Sequence, residues 1–156
     1  MSNQITRLED GSYSFIDDEG FNFEQGGSIP GLELVFETYG ELNANCDNAI
    51  LVHHALSTNS HLAATSQNPE PGWWNDMVGP GACMDTNHHF IICINNLGSY
   101  FSSSGPASIN PLTGKPYRSD FPRVTVNDMV RSQKRLVEAL GIERLFAVVG
   151  NSMGAM

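Results

Sequence analysis

Residues 145–154 read Leu145-Phe146-Ala147-Val148-Val149-Gly150-Asn151-Ser152-Met153-Gly154: a short apolar run that opens without a gap into G-x-S-x-G. A continuous run such as Leu145 to Val149 fits a strand buried on both faces, in a parallel sheet covered by helices. A serine placed directly after such a strand is what a strand–turn–helix nucleophile elbow requires. Strand and helix close on that turn, so positions 150 and 154 leave no room for a Cβ. The turn lifts the Ser152 hydroxyl above the sheet edge. The start of the following helix adds free N–H groups and a positive dipole end beneath it. The pattern alone is weak, since residue frequencies give on the order of 0.1 chance matches in a chain this long. The plain alternative is a Gly/Ser turn after a core strand.

The residues before this run support a parallel α/β arrangement. Thr125 and Asp128 form a T-x-x-D capping box. Val126, Met129, Val130, Leu136, Val137 and Leu140 then follow a helical period with one lapse, at Gln133. Gly141 stands where a helix-ending glycine belongs. A helix over 126–140 followed by a strand over 145–149 is the α-then-β unit of a parallel sheet. Ala49 to His53 and Phe90 to Ile94 are two more continuous apolar runs, and Leu32 to Tyr39 alternates and ends at Gly40. Residues 1–31 are polar and Gly-rich, and predict a loosely ordered or short β start. Residues 97–122 form a long irregular stretch with seven Gly and Pro, a length that in a compact domain marks a functional loop.

Composition narrows the class. The chain has 156 residues, enough for one domain, and its 40% hydrophobic content can build a core. Its net charge of −9 speaks against a nucleic-acid partner, because phosphate binding needs clustered Lys and Arg. No apolar run approaches the roughly 18 residues of a membrane span, and the opening residues carry no apolar signal core. Three widely spaced cysteines, Cys46, Cys83 and Cys93, suit free thiols in a reducing compartment. A soluble cytoplasmic protein is expected.

His53-His54-Ala55-Leu56-Ser57 follows the 49–53 run directly. An α/β-hydrolase site takes one oxyanion N–H from the residue after its nucleophile and one from a loop after an earlier strand. Met153 and Leu56 hold those two places. His53 and His54 are read as packing or hydrogen bonding at a strand end, not as a catalytic base. His61, His88 and His89 match no compact metal signature, so no metal is expected. Trp73-Trp74, between Pro71-Gly72 and Gly79-Pro80-Gly81, reads as a structural aromatic pair anchoring a lid or packing face.

With those residues in view, the chain resembles the N-terminal portion of the homoserine O-acyltransferase family. The likeness is carried by Tyr39-Gly40-Glu41-Leu42-Asn43, His54-Ala55-Leu56, Pro71-Gly72-Trp73-Trp74, Asn96-Leu97-Gly98, Ser104-Gly105-Pro106, Ser108-Ile109-Asn110-Pro111, Thr113-Gly114-Lys115-Pro116-Tyr117, Asp120-Phe121-Pro122 and the stretch around Ser152. It implies an α/β-hydrolase fold, here the N-terminal half of a mainly parallel sheet with flanking helices, truncated after the elbow. It implies acyl transfer from an acyl-coenzyme A co-substrate to the hydroxyl of homoserine, a step towards methionine, with no bound cofactor and a possible homodimer. Ser152 would carry the acyl group in a ping-pong mechanism, the Leu56 and Met153 N–H groups would hold the oxyanion, and the 97–122 loop would shape the entrance.

The chain also departs from that family. Asn151 and Ala155 stand where it commonly has glycine, Ser57-Thr58 where it has Thr-Gly, and Ser99-Tyr100-Phe101 where Gly-Cys often follows Asn-Leu-Gly. The last departure leaves the acyl group (acetyl or succinyl) and the acceptor (homoserine or serine) open. In this fold the Asp and His partners follow the nucleophile, and no Asp or His follows Ser152. The chain by itself is therefore expected to be inert. The alternatives are a serine O-acyltransferase of the same family and an inactive, binding-only remnant. A plain esterase on the same fold is disfavoured by the 105–122 segment.

Overall fold

The computed structural model describes residues 3–156. Two strands form its centre, β4 (Ala49–His53) and β5 (Phe90–Ile94), paired parallel with Ala49 opposite Phe90. Both are buried on two faces, as their unbroken apolar sequence requires. Leu51, Ile92 and Ile94 pack into one core, beneath the helix α1 (Val126–Ala139). Ile50, Val52, Ile91 and Cys93 pack into a second core on the opposite face, under the loops of 59–86. Burial among these apolar neighbours pushes the Cys93 thiol well above its ordinary range.

The remaining strands complete a six-stranded sheet. They are β1 (Asn3–Arg7), β2 (Tyr13–Asp17), β3 (Leu32–Tyr39) and β6 (Ala147–Gly150), and the order is β1-β2-β3-β5-β4-β6. The α/β class stands, but only β5-β4-β6 is parallel. β1, β2 and β3 run antiparallel to their neighbours, and the short turn between β1 and β2 allows no other pairing there. The opening residues thus hold two sheet strands and a small ribbon of Phe21–Asn22 with Ser28–Ile29.

α1 is built as its sequence predicts. The Thr125 hydroxyl accepts from the Asp128 N–H, and the Asp128 carboxylate accepts from the Thr125 N–H. Gly141 ends the helix with φ +76°. Two arginines fasten α1 to the turn after β2: Arg135 donates to Asp17 at 2.7 Å, and Arg131 donates to the Asn22 carbonyl at 2.8 Å. The lapse in helical period, Gln133, does not face solvent and is 2% exposed.

The run 145–149 departs from its expected burial. Phe146 and Val148 are 62% and 58% exposed. β6 pairs with β4 on one side and with no strand on the other among the described residues, so this edge is thinly covered, Phe146 by the stacked His89 ring. The 97–122 segment is irregular apart from a two-residue ribbon (Ile109–Asn110 with Lys115–Pro116) and a 3-10 turn at Arg118–Asp120. Two serines stitch it to the sheet: the Glu33 and Val35 N–H groups donate to the hydroxyls of Ser104 and Ser103. These bonds serve the part of β3 that β5 does not reach.

Candidate active site

Ser152 and Leu56 are brought together by strand pairing. Gly150 lies opposite His53 in the parallel ladder, and the Asn151 N–H donates to the His53 carbonyl at 3.2 Å, extending that ladder by one rung. Ser152 follows one residue later, and Leu56 follows three residues after His53. Both therefore leave the carboxyl ends of adjacent strands, at the sheet edge where open α/β sheets place their sites.

The turn at Ser152 is sharp. Ser152 has φ +55°, a left-handed conformation costly for a residue with a Cβ. A 3-10 turn spans Ser152–Ala155, and the Gly154 N–H donates to the Asn151 carbonyl at 2.9 Å. Both motif glycines are sterically fixed. A Cβ on Gly150 would fall on the Gly154 carbonyl, and a Cβ on Gly154 would fall on the His53 carbonyl and lie 2.8 Å from the His53 Cβ. Asn151, where a glycine was the commoner expectation, has ordinary extended backbone at φ −125°.

The second turn is organised around one carbonyl. The Ala55 oxygen accepts from His54 Nδ1–H at 2.6 Å and from both the N–H and the hydroxyl of Thr58 at 3.2 Å. Leu56 is 75% exposed. Among the described residues, neither the Leu56 nor the Met153 N–H donates to another protein atom. Two unpaired donors thus sit on the two turns flanking Ser152.

The histidines serve other purposes. His54 is 1% exposed, and its Nε2 accepts from the Asn96 N–H at 3.2 Å, which fixes the neutral Nδ1–H tautomer. Burial holds its pKa below the ordinary value, against the pull of the Ala55 carbonyl. Burial also lowers His53, with His54 adding to the effect and the Gln133 carboxamide opposing it. His61 is locked on the other face of the sheet: Nδ1 donates to Glu37 at 2.9 Å and Nε2 to the Glu70 carbonyl at 2.7 Å. Burial works against its charge, but the Glu37 carboxylate and the Glu70 carbonyl outweigh it and raise its pKa. His88 lies 4.0 Å from Asp85, and His89 stacks on Phe146. The three histidines considered as metal ligands go to three different places. Trp73 and Trp74 pack on the second core, and the Trp73 indole N–H donates to the Asn59 carbonyl at 2.9 Å.

Sequence reasoning passed over two polar groups held inside the fold, one beside the site and one on the other face of the sheet. Gln133 Nε2 donates to Asn96 Oδ1 at 2.8 Å, while Gln133 Oε1 has no partner among the described residues. Both side chains line a cavity of about 430 Å³ between α1 and the Ser152 turn, together with His53, Met129, Met153 and Gly154. The signal available was the polar residue inside an apolar helix face. The other group is Glu37, which also accepts from the Tyr39 hydroxyl at 2.8 Å. Alternation along β3 gave no hint that residue 37 would meet a histidine twenty-four positions on.

A family model described as alpha/beta hydrolase fold matches residues 48–156. The homoserine O-acetyltransferase of Geotalea uraniireducens is 54% identical over 151 residues, 96% of this chain and 40% of that protein. The serine O-succinyltransferase of Stenotrophomonas maltophilia strain K279a is 51% identical over 136 residues, 87% of this chain and 37% of that protein. The chain thus spans about two fifths of the length of these curated relatives. Among solved structures, homoserine O-acetyltransferase from Bacillus anthracis superposes with a TM-score of 0.84 at 41% identity, over 92% of this chain and 40% of that one. Esterase E22 superposes with a TM-score of 0.85 at 40% identity, over 92% of this chain and 41% of that one. A transferase and an esterase thus superpose equally well over most of the chain.

Proposed function

The chain belongs to the alpha/beta hydrolase fold family, its curated relatives include acyltransferases, and from that premise we propose that it supplies the acyl-accepting half of a serine-dependent O-acyltransferase. Ser152 Oγ attacks the thioester carbonyl of an acyl-coenzyme A. The carbonyl oxygen becomes an oxyanion held by the Leu56 and Met153 N–H groups. Collapse expels the coenzyme A thiolate and leaves an ester on Ser152. The hydroxyl of homoserine, or of serine, then attacks that ester and regenerates the serine. The supporting observation is the pair of unpaired N–H groups on turns that leave adjacent strands beside a serine at φ +55°.

A serine hydroxyl needs a neighbouring base to attack at neutral pH. His54 and His61 have both ring nitrogens engaged, His53 meets the Gln133 carboxamide, and His88 and His89 lie against Asp85 and Phe146. The proton acceptor in this proposal belongs to the rest of the whole protein. The similarity to esterase E22 favours a second reading, in which water replaces the amino-acid hydroxyl in the deacylation half.

Intact-mass spectrometry tests the first half-reaction. The whole protein, mixed with acetyl- or succinyl-coenzyme A without acceptor, is expected to gain one acyl mass at Ser152 and release one equivalent of thiol. Ser152→Ala is expected to gain none. An adduct persisting in Ser152→Ala refutes the assignment. Adding homoserine, serine or buffer alone to the isolated adduct distinguishes transfer from hydrolysis.

A further inference from the structure

We propose that Gln133, Asn96 and His54 form one positioning line that aims the Leu56 N–H at the reacting carbonyl. The proposal rests on the reading of Leu56 as an oxyanion donor and adds to it the residues that set its direction.

One peptide plane joins the two groups. The Ala55 carbonyl and the Leu56 N–H belong to the same peptide unit, which is planar and trans. Whatever fixes the carbonyl therefore fixes the N–H, pointing the opposite way. The carbonyl is fixed by His54 Nδ1–H at 2.6 Å and by the two Thr58 donors. His54 can donate from Nδ1 while neutral only because its Nε2 accepts, and the donor there is the Asn96 N–H. Asn96 follows β5 by two residues, and its side chain receives the Gln133 Nε2–H from α1 at 2.8 Å. The line thus runs from the helix, across the end of β5, to the turn after β4.

Energetics make Gln133 hard to explain as packing alone. It is 2% exposed, and its Oε1 accepts no well-formed hydrogen bond among the described residues even with the His53 ring beside it, a desolvation cost for a buried amide oxygen. An apolar residue of the same length would avoid that cost and keep the helix period. What such a residue would lose is the bond to Asn96. His54 and Asn96, 1% and 4% exposed, are likewise polar groups held at a site that apolar side chains could fill.

The test is single-turnover acylation of the whole protein by acetyl-coenzyme A, with Gln133→Met, His54→Phe and the double variant. Removing an oxyanion donor outright costs about 10²–10³ in rate. A misaimed donor is expected to slow acylation by roughly tenfold or more, with half-saturation by acyl-coenzyme A unchanged. Residues acting through one line are expected to be non-additive, so the double variant should be no slower than the slower single one. Acylation of Gln133→Met at the wild-type rate, or losses in the double variant that multiply, overturns the proposal. Gln133→Asn keeps the amide but falls a methylene short, and serves if Gln133→Met does not fold. Should the wild-type protein form no adduct on Ser152, the acyl-serine reading has failed, and nitrogen NMR of the His54 ring decides the line by itself. An Nδ1–H tautomer that is disturbed by Gln133→Met supports it, and one that is untouched overturns it.

Discussion

Replacing Gly154 with alanine tests how closely the Ser152 turn is packed onto the end of β4. The added methyl would fall on the His53 carbonyl oxygen, lie 2.6 Å from the carbonyl carbon and lie 2.8 Å from the His53 Cβ. Two of those atoms are backbone, held in the ladder by the Asn151 N–H, so no side chain can swing aside. Overpacking costs about 1–3 kcal/mol where neighbours can adjust, and a rigid backbone neighbour puts Gly154→Ala near the top of that range. About 3 kcal/mol lowers the melting temperature of a domain this size by roughly 6–12 °C. Gly150→Ala is expected to behave similarly, because its methyl would meet the Gly154 carbonyl group from the other side of the same turn. Gly31→Ala is the control: its φ is ordinary and its methyl would sit 3.6 Å from the Asp17 carbonyl, a normal contact. That substitution should be neutral or stabilise by about 0.4–1 kcal/mol through the unfolded chain. Thermal unfolding of the three variants gives the comparison. Gly154→Ala within about 0.5 kcal/mol of wild type would show that strand and turn do not approach as closely as described, and would remove the steric reason for G-x-S-x-G here.

Strain at Ser152 itself is separable from loss of its hydroxyl. Ser152→Gly should be more stable than Ser152→Ala by about 1 kcal/mol, since only glycine relieves the left-handed φ of +55°; equal stabilities by denaturant titration would show that the turn stores no strain. His61 needs a proton on each ring nitrogen to donate to both Glu37 and the Glu70 carbonyl, and its pKa is raised in the fold. Its contribution is then full below the unfolded histidine value of about 6.5 and is lost as pH rises through the higher folded value. Amide exchange across residues 59–70 should therefore accelerate above neutrality beyond its intrinsic pH dependence, and His61→Gln should abolish that extra acceleration. A wild-type protein with no extra acceleration would refute the charged state assigned to His61.

Much of this could be read from residues because local rules and tertiary packing agree. Ala49–His53 and Phe90–Ile94 are unbroken apolar runs, and both lie between two cores. The Thr125–Asp128 box caps the start of α1 with side chains that satisfy free N–H groups, and Gly141 ends the helix in a left-handed conformation with its own N–H on the Glu138 carbonyl. The antiparallel front of the sheet was less legible, because residues 1–31 are short strands broken by glycines and carry no long apolar run. The same holds for Ser103 and Ser104, whose hydroxyls stand in for a missing strand neighbour of β3. Gln133 was visible only as an irregularity. Periodicity reports that a polar residue faces the core but not which buried group it meets.

The features that favour an acyl-serine also explain why relatives of two activities resemble this chain equally. In the proposed mechanism Ser152, Leu56 and Met153 act on the carbonyl and its developing oxyanion, and the acylation half is the same whether an amino-acid hydroxyl or water follows. What separates transfer from hydrolysis is how well the deacylation site holds an acceptor and excludes water. Within this chain, the segment placed to influence that choice is 97–122, which leaves the carboxyl end of β5 beside the Leu56 turn and is tied to β3 through Ser103 and Ser104. Its departures at Ser99-Tyr100-Phe101 begin three residues after Asn96, one residue of the line proposed to aim Leu56, and Tyr100 is 88% exposed. The bond to His54 comes from the Asn96 main-chain N–H and not from residues 99–101, so side-chain substitutions at 99–101 are expected to change the partition of the acyl-serine between homoserine and water while its rate of formation, read by single-turnover acylation, stays unaltered.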